Sequence, residues 1–369
     1  MNSGPATGEM SPAANGSPLT LVPRGLIILL GISSAVVTAA GAALLSWLIG
    51  PVFLALIIVL CVMPVQTWLR GRGVPRWVAT SALVIGVYAV LVALVLVMIV
   101  SLAQLGSLLP EYADKARGMV EEITAALTRL GVAPDQLATL SGAFDIDTLT
   151  ALIGSILAAV GGLVSSIIFI LSLLLFLSLE TRYTGARLAM IAADRPHIAR
   201  AMGDFVRSTR RYMIVTTVIG VLTGVLDATV LGLLGVPLPV LWGLLAFLTN
   251  YIPYVGFLIG LVPPALLALL EGGWPLMLSV VATYVAISFV LVSLIQPRFT
   301  GNRVGLSATV TFVAMLFWAW ILGPLGAILS IPLTLLVKTL LIDIDPRARW
   351  ADVLIGSRSA TLGPEAEAR

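Results

Sequence analysis

With 369 residues, 59% hydrophobic and 11% charged, the chain carries less than half of the roughly 25% charged content of a soluble domain, and soluble classes are excluded. Its formal charge of +3 comes from basic residues dispersed in short loops between apolar runs, so it reads as membrane topology and excludes a nucleic-acid partner. The single cysteine, Cys61, sits inside an apolar run, which excludes a disulfide framework and a thiolate metal site.

Residues 1–24, rich in Gly, Pro, Ser, Asn and Ala without periodicity, read as a disordered cytoplasmic tail. Apolar runs then follow at 26–49, 51–69, 77–109, 151–179, 213–236, 239–270, 275–296 and 304–337. About eight hydrophobic segments of this kind predict an all-α polytopic transmembrane helical bundle. The runs at 239–270 and 304–337 are long for one span and carry Pro and Gly near the middle, which predicts two broken or re-entrant hairpins.

Basic residues set the orientation. Arg70, Arg72 and Arg76 lie between the second and third runs with no acid among them, and residues 180–212 hold seven Arg against three acids. Both loops belong inside, whereas 110–150, with three basic and seven acidic residues, belongs outside. The chain therefore divides into N-terminal transmembrane helices at 25–109, an extracytoplasmic helical insert at 110–150, and a transmembrane helix with a basic cytoplasmic segment at 151–212. A transport core at 213–341 and a cytoplasmic tail at 342–369 complete it, with both termini cytoplasmic in a bacterial-type inner membrane. Trp47, Trp68 and Trp77 fall at run ends, as interfacial indoles do.

Within the insert, Leu109, Ala113, Ala116, Val120, Ile123, Leu127 and Leu130 recur at alternating fours and threes. That is one apolar helical stripe, suited to the membrane surface or its own domain, or to packing between protomers. Residues 181–211 also read as helical, with Arg195, Pro196 and His197 marking a turn.

Between Arg211 and Arg298 only Asp227 and Glu271 carry formal charge. Glu271 lies in a Glu-Gly-Gly-Trp turn and is expected in solvent outside. Asp227 falls well inside its run, within the hydrocarbon layer at about 1.5 Å of rise per residue. It shares a helix face with Gly220 and Gly224, a small-residue pair that lets backbones approach, so it should face protein. Such a carboxylate is a candidate site for a cation, a proton or a polar substrate; the alternative is an Asp satisfied by a neighbouring helix.

The two long runs resemble each other. Pro253 and Gly256 are followed by Pro263; Pro324 and Gly326 are followed by Pro332. Each run reads as helix, break, helix behind one ordinary span, and crossing parity makes the two hairpins enter from opposite faces. Inverted units with broken helices mark binding sites in secondary transporters, because the interruptions turn backbone groups toward a cavity. Asn250, Tyr251 and Gln296 add polar side chains beside the breaks, and Arg298 stands at the cytoplasmic end of its span, either attracting an anionic solute or anchoring the interface.

Asn250-Tyr251-Ile252-Pro253-Tyr254-Val255-Gly256, then Gly260, Pro263, Gln296-Pro297-Arg298, Gly301, Val304-Gly305-Leu306-Ser307 and Gly323-Pro324-Leu325-Gly326 with Pro332, resemble the C-terminal pattern of the autoinducer-2 exporter family of permeases. The order and spacing match throughout 210–341. The resemblance implies a multi-pass transporter, with export of a signalling molecule in some members and sodium or lithium exchange for protons in others. It also implies homo-oligomers, a pentamer among them.

Three transport readings follow. An exporter of a small polar solute leads, a monovalent cation/proton antiporter coupled through Asp227 is the alternative, and a passive channel is third, without a charged ring or carbonyl-rich filter to support it. A membrane scaffold would need neither the intramembrane Asp nor the broken hairpins. Enzyme chemistry is not expected, because the only histidine, His197, lies in the basic loop without a serine nucleophile elbow, and no cofactor is expected either. No phosphate-cradling Gly-Lys-Ser/Thr loop is present for ATP-driven pumping.

Overall fold

The computed structural model of the protein describes residues 23–129, 169, 171–173, 190, 192–296 and 306–345. Among these residues all regular structure is helical, so the all-α expectation holds. The helices are α1 (Arg24–Leu44), α2 (Ser46–Gly71), α3 (Arg76–Arg129), α4 (Pro196–Leu233), α5 (Pro239–Thr249), α6 (Gly256–Ser288), α7 (Ala308–Leu322), α8 (Pro324–Ile328) and α9 (Ser330–Lys338). The fourth predicted run, 151–179, lies outside the described residues save for Phe169 and 171–173.

Four stretches are long and apolar enough to cross a membrane: Ser46–Gly71, Trp77–Leu108, Pro196–Leu233 and Gly256–Ile295. The boundaries differ from the sequence expectation in three places, each for a local reason. The first break falls at Leu45, and Pro51 lies inside α2 as its sixth residue, where it forgoes one intrahelical hydrogen bond without ending the helix. The third span does not stop at 109, because α3 continues across Pro110 to Arg129 as one 54-residue helix. The basic segment before the fifth run is the first half of α4, which begins with Pro196 at its first turn.

α4 is the organising element. Its buried positions, Ala201, Phe205, Thr209, Tyr212, Met213, Thr216, Ile219, Gly220, Thr223, Gly224, Asp227 and Leu231, repeat at threes and fours and form one face. Toward its Pro196 end this face packs with Phe53 and Ile57 of α2 and with Ile321, Leu322, Leu329, Ile331, Leu333 and Leu335 of α7 to α9. Toward its Leu233 end Leu231 packs with Trp242 of α5 and with Leu261, Ala268, Val280 and Tyr284 of α6.

Helix α6 is not one rod. Gly273 has φ 68° and ψ −162°, outside helical geometry, and Leu261 and Tyr284 from either side of it bury in one cluster. A straight helix would hold those two residues roughly 35 Å apart at 1.5 Å per residue. The chain therefore doubles back at Gly272-Gly273, and the second limb runs on through a π-helical stretch, Phe289–Ile295.

Both expected hairpins are present. The first is α5, a turn at 250–255, and the opening limb of α6; the second is α7, a break at Gly323, and α8 with α9. At 11 residues α5 is about 16 Å long, and at 15 residues α7 is about 22 Å, short of the roughly 30 Å hydrocarbon core. Each is shorter than a full crossing. The exposed large apolar residues of α1, α2 and α3, such as Val37, Leu44, Trp47 and Trp77, suit a lipid solvent. The insert's stripe lies on α3 as far as Leu127, where Ala116 is buried, while Leu130 is outside the described residues.

Candidate functional site

The buried face of α4 carries a polar stripe through an otherwise apolar core. Thr209, Thr216 and Thr223 recur at sevens, and Asp227 follows one turn later. Asp227 is 1% exposed, and neither carboxylate oxygen has a hydrogen-bond partner among the described residues. The Thr209 hydroxyl is likewise unpartnered, whereas Thr223 donates to the Ile219 carbonyl at 2.9 Å.

Two glycines bring the first hairpin onto this stripe. A Cβ on Gly224 would stand 2.5 Å from the Gly243 carbonyl oxygen, and one on Gly220 would stand 3.2 Å from Asn250 Nδ2 and from the Phe247 ring. The helices cross backbone to backbone, as small residues four apart permit. Below the crossing the turn is tied to α4: Asn250 Nδ2 donates to the Thr216 carbonyl at 3.1 Å. The Thr217 hydroxyl donates its single proton to the Met213 carbonyl at 2.7 Å. The 2.7 Å contact between Tyr251 and Thr217 hydroxyls must therefore have the phenol as donor.

The turn closes over Gly256, where a Cβ would overlap the Thr249 carbonyl, and Gly260, where it would meet Thr249 Oγ1 at 2.9 Å. Pro253 lies in the turn, Tyr254 takes a positive φ of 63°, and Pro263 lies inside α6 with Pro264 buried beside it. The second break repeats this chemistry. Gly323 has φ 65°, Pro324 opens α8, and a Cβ on Gly326 would overlap the Trp318 carbonyl. Trp318 Nε1 donates to Thr334 Oγ1 at 3.0 Å, and Pro332 is fully buried.

Not all the sequence candidates come together. Asn250 and Tyr251 meet α4 at Thr216 and Thr217, whereas Asp227 lies seven residues beyond Gly220, about 10 Å further along the helix. The second break sits against α2, where Leu325 lies 3.4 Å from a Cβ placed on Gly50. The hairpins adjoin through Tyr254 and Phe312, whose rings meet edge to face at 6.1 Å, and through Tyr251 packed beside the α7 cluster. Gln296 follows the π-helical stretch, and Arg298 lies outside the described residues.

Glu271 was expected in solvent. It is exposed, and its Oε2 also accepts from Tyr112 Oη at 2.9 Å and from Lys115 Nζ at 2.9 Å, so the projecting part of α3 holds the reversal of α6. Lys115 also pairs with Glu111 at 3.0 Å. Hydrogen bonds from Lys115 to the Glu271 and Glu111 carboxylates raise its pKa above the ordinary lysine value. Sequence reasoning also passed over the Thr209-Thr216-Thr223 spacing and Tyr284; the sevenfold recurrence of hydroxyls on one face was the available signal for the former.

Among the described residues no group of three or more His, Cys, Asp or Glu could hold a metal ion. The chain is 32% identical over 318 residues to the AI-2 transport protein TqsA of Escherichia coli K12, covering 85% of this chain and 91% of that one. It is 30% identical over 317 residues to YhhT of the same organism, provisionally named a transport protein, covering 85% and 90%. It is 23% identical over 311 residues to YrrI of Bacillus subtilis, also provisionally named a transport protein, covering 79% and 85%. The family model described as AI-2E family transporter matches residues 32–345, and this multi-pass membrane protein therefore belongs to the AI-2E family of transporters.

Proposed function

We propose that the protein exports a small polar solute along the seam between α4 and the two re-entrant hairpins. The observation that carries this reading is the buried polar stripe of α4, which runs from the cluster of the second hairpin, past the Asn250-Tyr251 turn of the first, to Asp227. A lipid-facing helix would gain nothing from burying these groups, whereas a solute path needs them. The name of TqsA supports a signalling molecule of the autoinducer-2 type as the first solute to try. Transport, not catalysis, is the assigned role.

A second reading, sodium or lithium exchange for protons, is favoured by one feature: an acid that is 1% exposed and without a partner among the described residues is suited to trade a proton for a cation. The proposed orientation places Pro196 and both termini in the cytoplasm and the Glu271 turn outside. The proposed assembly is a homo-oligomer, with the apolar faces of α1 and α3 meeting lipid and neighbouring copies.

The test compares solutes released by cells with and without the protein, followed by flux in proteoliposomes. Export requires a solute whose release depends on the chain and on an intact stripe. Sodium-dependent proton movement lost in Asp227→Asn, with no solute released, would replace it by the antiport reading.

A further inference from the structure

Tyr284 is 2% exposed, and its hydroxyl, like the carboxylate of Asp227, has no hydrogen-bond partner among the described residues. The two face each other by register. α4 rises toward Leu233, and the second limb of α6 descends from Gly273, so the helices run antiparallel. Leu231 and Val280 bury in the same cluster; Asp227 precedes Leu231 by one turn, and Tyr284 follows Val280 by one turn. Each polar group therefore lies one turn deeper on the same face as its apolar neighbour. The hydroxyl is within electrostatic reach of the carboxylate yet makes no bond to it.

The limb that carries Tyr284 is bounded by two irregularities. Above it stands Gly273, with φ 68°, followed by Pro275; below it stands the π-helical stretch Phe289–Ile295. A glycine in that region turns freely, and a π-helical turn accommodates an extra residue, so the limb between them can rotate without breaking its own ladder.

We infer that Tyr284 is a positioning residue of the Asp227 site: rotation of residues 274–288 brings its phenol to donate a hydrogen bond to the carboxylate after Asp227 has released its proton. The inference rests on the reading of Asp227 as part of the transport path. The proton leaves the carboxyl oxygen for water; the phenol keeps its own proton and gains the carboxylate as acceptor. Among the described residues α5 presents no titratable group to Asp227. Tyr112, Lys115 and Glu271 stand together at the outer reversal, and Tyr251 is held by Thr217 at the turn. The Tyr284 phenol is thus the donor placed to meet a charge at this depth.

The experiment titrates the purified full chain by infrared difference spectroscopy, reading the carboxyl C=O band that Asp227→Asn removes. Tyr284→Phe should move the midpoint of that band upward by about one pH unit, a tenfold change in proton concentration. In the Asp227→Asn background it should change nothing further. An unmoved midpoint in folded Tyr284→Phe overturns the inference. Should that variant fail to fold, the wild-type spectrum decides: a tyrosine C–O band must change together with the carboxyl band and vanish in Asp227→Asn, and its absence overturns the inference equally. The band shift is measured without flux, so it stands or falls separately from proton-coupled transport in proteoliposomes.

Discussion

Replacing Gly224 by alanine should separate the two helices on which the site depends. The new Cβ would stand 2.5 Å from the Gly243 carbonyl oxygen and 3.2 Å from Phe247 Cβ. A backbone oxygen cannot turn aside as a side chain can, so α4 and α5 must part by nearly 1 Å to restore ordinary contact of about 3.4 Å. Overpacking of this kind costs about 1–3 kcal/mol, enough to lower the thermal midpoint by several degrees. The crossing lies between Asn250 and Asp227, so flux should fall with stability. Assays are thermal unfolding in detergent and transport in proteoliposomes. A Gly224→Ala protein that melts and transports as the wild type does would refute the close crossing and the site built on it.

Tyr251→Phe removes the phenol proton given to Thr217 and should cost about 1 kcal/mol, read as a small loss of thermal stability with a larger loss of flux. Gly256→Ala and Gly326→Ala each drive a methyl into a backbone carbonyl, so both should destabilise their hairpin by more than Gly71→Ala, where nothing lies within 4 Å; equal melting curves would count against the two turns. Because Lys115 titrates above its ordinary value of 10.5, its link to Glu271 is fully present below that value and is lost as pH rises through the raised one; cross-linking of Lys115→Cys with Glu271→Cys should report the proximity. For orientation, an impermeant thiol reagent added outside intact cells should label Thr128→Cys and leave Ser208→Cys unmodified; labelling of position 208 would reverse the assigned sidedness.

Much of this arrangement was legible in the residues themselves. Asp227 had to be buried, because a lone acid with Gly220 and Gly224 on its face can hardly point at lipid, and the Pro and Gly of both long runs announced the breaks. What could not be read depends on distance in space. Glu271 read as solvated and is exposed, but nothing in its neighbourhood reveals that Tyr112 and Lys115, more than 150 residues earlier, reach it. Tyr284 looked like any aromatic in an apolar run, because the reversal at Gly273 that turns it toward Asp227 is a matter of two dihedral angles. The break at Leu45 was masked by Pro51, which lies inside α2 and does not precede it. Nor does the inverted pattern reveal where the second break packs: Leu325 of α8 lies against Gly50 of α2, away from Asp227.

The unbroken course of α3 from the bilayer to Arg129 makes it a lever. Its 54 residues span about 80 Å, so a tilt of about 5° in the membrane sweeps the far end through roughly 7 Å of arc on a rod of that length. The tether at Lys115 lies along the same arm, so motion of the reversal at Gly273 is magnified at the tip. A fluorophore near Thr128 can therefore serve as an external gauge of movements inside the bilayer, read without touching the seam where the solute is proposed to pass.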